Sequence, residues 1–124
     1  MLTVWQKEKV TALIVALRSG GYEQGTNYLK TSDNKFCCLG VACDLIDNKR
    51  WARDFSGYTY LERTAFLPPS IKEMYGFPAD DGICTKNITE SHPRDSSWTL
   101  ATLNDAGLTF SMIADIIEYW MENN

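Results

Sequence analysis

The apolar residues Val10, Leu13, Ile14 and Leu17 recur at i, i+3, i+4 and i+7, a spacing that lines one face of a helix. A helix is therefore predicted over residues 4–18, with Thr3 placed to cap its first turn and Gly20-Gly21 placed to stop it. Gln6, Lys7, Lys9 and Arg18 then fall on the water side. From Tyr22 to Thr31 the period is lost among polar residues and glycines, and Ser32-Asp33-Asn34 reads as a turn between two short extended pieces, a small hairpin. The run FCCLGVACDLI over residues 36–46 is apolar almost all round. A helix of that kind is buried on most sides, and Asp47-Asn48-Lys49 marks its end.

After the basic stretch Lys49, Arg50 and Arg53, the residues Tyr58-Thr59-Tyr60-Leu61 have the β-branched and aromatic content of a strand. Leu67-Pro68-Pro69 opens a short helix over residues 70–75, where proline fits because a first-turn N–H has no helical partner, and Gly76 closes it. Residues 77–96 carry Pro78, Asp80-Asp81-Gly82, Asn87 and His92-Pro93 without a period, which predicts the longest loop. Ser97 is placed to cap a helix over residues 98–105, with Leu100 and Leu103 inward and Gly107 as its stop. Thr109 is placed to cap the last helix, residues 110–121, which buries Ile113, Ile117, Trp120 and Met121 and exposes Asp115, Glu118 and Glu122. About five helices and a small antiparallel sheet make an α+β class. At 124 residues the chain is predicted to be one compact domain, residues 1–124.

Composition narrows the setting. The chain is 44% hydrophobic and 12% aromatic, too rich in core-forming residues for a disordered segment. A net charge of −4 repels phosphate backbones and disfavours nucleic acid as a partner. No stretch reaches the ~20 apolar residues that span a bilayer, and the first residues lack the pattern of a signal peptide, so a cytoplasmic protein with no membrane partner is expected. In that compartment Cys37, Cys38, Cys43 and Cys84 read as reduced thiols.

Several clusters bear on chemistry. Cys37 and Cys38 lie where a helix dipole would favour thiolate, with His92 as the one available imidazole and Asn104 or Asp105 to orient it, the parts of a cysteine-dependent hydrolase or transferase. Buried packing thiols are the commoner role for such residues. No zinc spacing is present, so neither a metal nor another cofactor is predicted, and Asp80, Asp81 and Glu90 lack the spacing of a calcium loop. Residues 100–122 have the length of a helix-turn-helix, the outline of a DNA-binding protein, yet carry no Lys or Arg to meet phosphate. Arg50, Trp51, Arg53, Tyr58, Tyr60 and Arg63 put cations among aromatic rings, which suits a nucleotide-like ligand through stacking and phosphate pairing.

The blocks Ala16-Leu17-Arg18-Ser19-Gly20 with Gln24-Gly25, Phe36-Cys37-Cys38-Leu39-Gly40-Val41, Leu67-Pro68-Pro69, and Leu103-Asn104-Asp105 followed by Ile113-Ala114-Asp115-Ile116-Ile117-Glu118 occur in order over about half of the chain. In them the sequence resembles a family of small uncharacterised proteins encoded by phages, with bacterial relatives. The resemblance implies a setting, the cytoplasm of an infected host, and no mechanism. The expectation is a phage accessory protein that acts by binding, countering host defence by sequestering a nucleotide-like signal or a host protein. A homo-oligomer, or a basic partner for the acidic stripe of the last helix, fits the same expectation.

Overall fold

The computed structural model describes residues 1–55, 57–83 and 99–124. Five helices and one two-stranded sheet follow in the order α1 (Val4–Ser19), α2 (Cys38–Ile46), β1 (Trp51–Asp54), β2 (Gly57–Tyr60), α3 (Pro69–Tyr75), α4 (Leu100–Asp105) and α5 (Phe110–Glu122). The α+β class predicted from the pattern is the one observed.

Helix α1 begins in a capping box: the Thr3 hydroxyl accepts from the Gln6 amide and the Gln6 side chain accepts from the Thr3 amide, each at 3.0 Å. Gly20 ends it in the left-handed conformation at φ 77°. The four stripe residues Val10, Leu13, Ile14 and Leu17 are all buried. Against this stripe lies α5, running antiparallel. Leu2 N donates to Asn124 O at 2.8 Å at one end, and Arg18 meets Asp115 at 2.6 Å and Glu118 at 3.1 Å at the other. Ile113, Ile117 and Trp120 are buried as expected, while Met121 sits half-buried at the seam beside Thr11.

Helix α2 fills the centre, packed on α1, α3 and α4. Its residues from Cys38 to Cys43 are all buried, whereas Leu45 turns outward. What makes this helix fit is Gly40: a Cβ there would lie 1.8 Å from the carbonyl oxygen of Leu29. The Leu29 segment therefore runs directly across the helix, and Leu29 O accepts from Cys37 N at 3.2 Å.

Three expectations change. The hairpin foreseen around Ser32-Asp33-Asn34 reduces to isolated bridges, Gln24 with Phe36 and Lys30 with Phe36, around a turn in which Thr31 and Lys35 bond at 2.8 Å. The basic stretch before Tyr58 contains β1, paired antiparallel with β2. Helix α4 starts at Leu100 with the Thr99 hydroxyl accepting from Thr102 N at 3.3 Å; the expected cap Ser97 and most of the long loop lie outside the described residues. After β2 the chain reverses through Leu61 and Glu62, both at positive φ (47° and 71°), and Tyr60 and Arg63 exchange two backbone bonds of 2.9 Å. That geometry matches the right-handed twist of the strands and carries the reversal in two residues.

Candidate functional site

The strand register opposes Trp51 to Tyr60 and Arg53 to Tyr58. Because side chains alternate along a strand, these four share one face of the sheet. At its inner end Tyr60 is fully buried, and its hydroxyl donates to Asp47 O at 3.0 Å. Trp51 is half-buried, with its ring 4.9 Å from Tyr60, 5.9 Å from Phe36 and 6.4 Å from Tyr58, each approached edge to face. A carboxylate fixes this aromatic layer from behind: Asp44 accepts from Trp51 Nε1 at 2.9 Å and from the Tyr22 hydroxyl at 2.6 Å. Burial, then the bond to Asp44, pushes the Tyr22 phenol well up, and burial with Cys43 and Asp47 nearby pushes Tyr60 up to about 12. Both phenols are therefore protonated donors at neutral pH.

At the outer end two cations flank Tyr58. Lys30 Nζ lies 4.2 Å from its ring centroid, 5.2 Å from Phe36 and 5.4 Å from Trp51. The Arg53 guanidinium lies 4.9 Å from the same Tyr58 ring and donates to the Tyr58 hydroxyl at 3.0 Å. Among the described side chains, which do not include that of Asp54, neither Lys30 nor Arg53 forms an ion pair with a carboxylate. Arg50 and Arg63 differ: Arg50 pairs with Asp47 at 3.1 Å and Arg63 stands 3.9 Å from Asp80. Of the six residues chosen from sequence, Trp51, Arg53 and Tyr58 thus meet at one accessible corner, Tyr60 lies beneath it, and Arg50 and Arg63 are turned to carboxylates. Sequence reasoning missed Lys30, Phe36, Tyr22 and Asp44. Lys30 stands alone between Leu29 and Thr31 in an aperiodic segment, and no spacing links it to a hairpin twenty residues on.

The thiols tell a different story from the one their helix-start position suggests. Cys37 caps α2, its Sγ accepting from Gly40 N at 3.4 Å, and Cys38 Sγ donates to Leu100 O at 3.7 Å. Cys37, Cys38 and Cys43 are all buried and unbridged. Burial outweighs the backbone N–H contacts, pushing the Cys37 thiol up to about 11 and the Cys38 and Cys43 thiols up as well. The expected thiolate is therefore disfavoured, because desolvation of the charge exceeds what one helix end supplies. Asn104 is fully buried: its Oδ1 accepts from Gln24 Nε2 at 3.0 Å and Cys38 N at 3.2 Å, and its Nδ2 donates to Gly25 O at 2.8 Å. Gln24 continues the network to Leu108 O at 2.7 Å and from Phe110 N at 3.2 Å. Asp105 accepts from Asn27 N at 2.8 Å, which holds that residue at φ 72°. Asn104 and Asp105 do lie beside the thiols, as a structural knot. His92, Cys84, Asn87 and Glu90 lie outside the described residues.

Two solution consequences follow from the thiols. In folded protein at pH 7.5, Cys37, Cys38 and Cys43 should resist iodoacetamide for hours, while urea-unfolded protein is alkylated within minutes; peptide mass spectrometry reads both. Since a thiol raised on folding keeps its proton more tightly in the folded state, its contribution is present below the unfolded value near 9 and is lost as pH rises towards 11. Thermal melts should therefore show the midpoint falling across that alkaline window.

The remaining sequence candidates resolve simply. Helices α4 and α5 carry no Lys or Arg, and α5 turns Ser111, Met112 and Asp115 outward. Arg18 already engages Asp115 and Glu118 in the stripe expected to meet a basic partner. Among the described residues no three His, Cys, Asp or Glu side chains gather closely enough to hold a metal ion, and no helix is long and apolar enough to cross a membrane.

Gln24-Gly25, Cys38 and Asn104, far apart in the chain, meet in one hydrogen-bonded knot. No curated protein and no solved structure matches the chain significantly. A family profile described as Domain of unknown function (DUF8296) matches residues 6–121, and the chain belongs to that family.

Proposed function

We infer that this chain is a binding protein whose ligand joins an anionic group to a planar ring, a nucleotide-like small molecule, taken up at the outer corner of the β1–β2 hairpin. The observation that carries the reading is the pair of cations on Tyr58, Lys30 at 4.2 Å and Arg53 at 4.9 Å, neither paired with a carboxylate among the described side chains of a protein with net charge −4. Guanidinium and ammonium groups pair with phosphate oxygens, and the Tyr58 and Trp51 rings offer stacking area. A rigid aromatic layer held by Asp44 reduces the ordering cost of binding. The raised thiols weigh against the cysteine-dependent alternative, and the absence of cations on α4 and α5 weighs against the DNA-binding one. The biological setting belongs to the same reading: a phage-encoded accessory protein in the host cytoplasm that counters defence by sequestration.

Isothermal titration calorimetry against nucleoside mono-, di- and triphosphates, dinucleotides and pyrophosphate tests it. At least one ring-bearing phosphate should bind, with affinity falling as salt rises. Arg53→Ala should weaken that binding about tenfold, the size of one charge-assisted contact of ~1.4 kcal/mol. If no compound binds below millimolar concentration, or if Arg53→Ala binds as tightly as the parent, the reading fails.

A further inference from the structure

Three rings from three separate segments, Phe36 ahead of α2, Trp51 on β1 and Tyr58 on β2, converge on one ammonium, Lys30 Nζ, at 5.2, 5.4 and 4.2 Å. Such a cage is an attractive environment for a cation. It also means that Tyr58, half-buried at the outer end of the corner, has both cations over its ring, Lys30 at 4.2 Å and Arg53 at 4.9 Å. A planar ligand ring has no parallel slot to enter, since Trp51 and Tyr58 stand at 79° to one another. It gains a stacking face only where a cation leaves one.

Of the two, Lys30 is the cation free to leave. Arg53 is tied to the Tyr58 hydroxyl by a hydrogen bond of 3.0 Å. Lys30 Nζ has only its ring contacts among the described side chains, on a stem with four rotatable bonds. Resting on that reading of the corner, we propose that Lys30 is a self-ligand of the site: the ring of a nucleoside phosphate takes its place against Tyr58, and the displaced ammonium turns outward to pair with the phosphate. The exchange selects ligands carrying both parts. A bare nucleoside must displace the ammonium and gives it no anion in return, and a bare phosphate gains the cation but no stacking.

The arrangement predicts effects of opposite sign from one substitution. Adenosine and adenosine 5′-monophosphate are titrated into the full chain, into Lys30→Ala and into Lys30→Met, which keeps the stem without the charge; calorimetry gives affinities and far-UV circular dichroism checks folding. Removing the ammonium should weaken the monophosphate about tenfold and strengthen adenosine about threefold or more, because the ring no longer competes with Lys30. Trp51 fluorescence, isolated by difference with Trp51→Phe, should change on binding. If both ligands weaken together, or if adenosine binding is unchanged in both variants, the exchange is wrong, even where the monophosphate still binds the parent through Arg53. If no phosphate-bearing ligand binds the parent at all, the reading of the corner falls, and the exchange with it.

Discussion

Gly40→Ala should cost the protein ~4 kcal/mol of stability. The added Cβ would lie 1.8 Å from Leu29 O and 2.6 Å from its carbonyl carbon, and both are backbone atoms rather than the end of a flexible side chain. Relief requires that α2 or the Leu29 segment move by more than an ångström. Movement there breaks the Cys37 N to Leu29 O bond of 3.2 Å and the Leu29 N to Thr64 O bond of 2.7 Å that hold the crossing segment in place. Overpacking in a close-packed interior ordinarily costs ~1–3 kcal/mol, and a backbone collision with two bonds at risk lies at or above the top of that range. Against a domain stability of ~5–15 kcal/mol, a loss of ~4 kcal/mol removes most of the margin of a small chain. A urea titration followed by circular dichroism should show the midpoint collapsing. A fall under 1 kcal/mol would mean that α2 does not lie beneath Leu29.

Asn104→Leu should cost ~3–5 kcal/mol although it keeps the branching of the side chain and adds apolar surface. The side chain is fully buried and serves three partners, Gln24 Nε2, Cys38 N and Gly25 O. Leucine leaves all three polar groups without it, and each buried group stranded in this way costs ~1–3 kcal/mol; Gln24 keeps its second acceptor, Leu108 O, which moderates the sum. Asn104→Asp separates hydrogen bonding from size. Aspartate keeps the two acceptances, but when ionised it cannot donate to Gly25 O and places a charge in a fully buried position. Its folded pKa should rise above the unfolded value near 4, so the ionisation penalty is absent below about pH 4 and grows as pH climbs through the folded value. Chemical denaturation at pH 4 and pH 7 should therefore show the variant closer to the parent at the acid end. Equal deficits at both pH values would contradict the knot's geometry.

Much of this architecture could be read from residue order, and the reasons are local. The stripe of Val10, Leu13, Ile14 and Leu17 and the stops at Thr3 and Gly20 belong to one helix and need no tertiary information. The same holds for Thr109 ahead of α5 and for Pro69 and Gly76 around α3. Strand β1 was obscured because Trp51-Ala52-Arg53-Asp54 mixes an aromatic, a methyl and two charges, and its alternation emerges only once Tyr58 and Tyr60 stand opposite. For Cys37 and Cys38 residue order left two roles open for a related reason: a helix start argues for thiolate, while burial, which only packing reveals, argues against it more strongly. Asn104 reads as one polar residue in a short amphipathic segment. Its role depends on Gln24, eighty residues earlier. The candidate site divides in the same way. Trp51, Arg53 and Tyr58 were visible as alternating charge and aromatic content, whereas Lys30, Phe36, Tyr22 and Asp44 arrive through long-range contacts that leave no period in the chain.

The hairpin corner is where the proposed ligand would meet the protein. Chemical-shift mapping of the 15N-labelled chain with adenosine 5′-monophosphate addresses that most directly, because it locates contact without any substitution. Shifts should concentrate at Lys30, Phe36, Arg53, Tyr58 and the Trp51 indole N–H, and should leave the shallow cleft around Gln6, Gly76 and Trp120 unchanged. Shifts centred on that cleft or on α5, with the hairpin corner silent, would contradict the assignment.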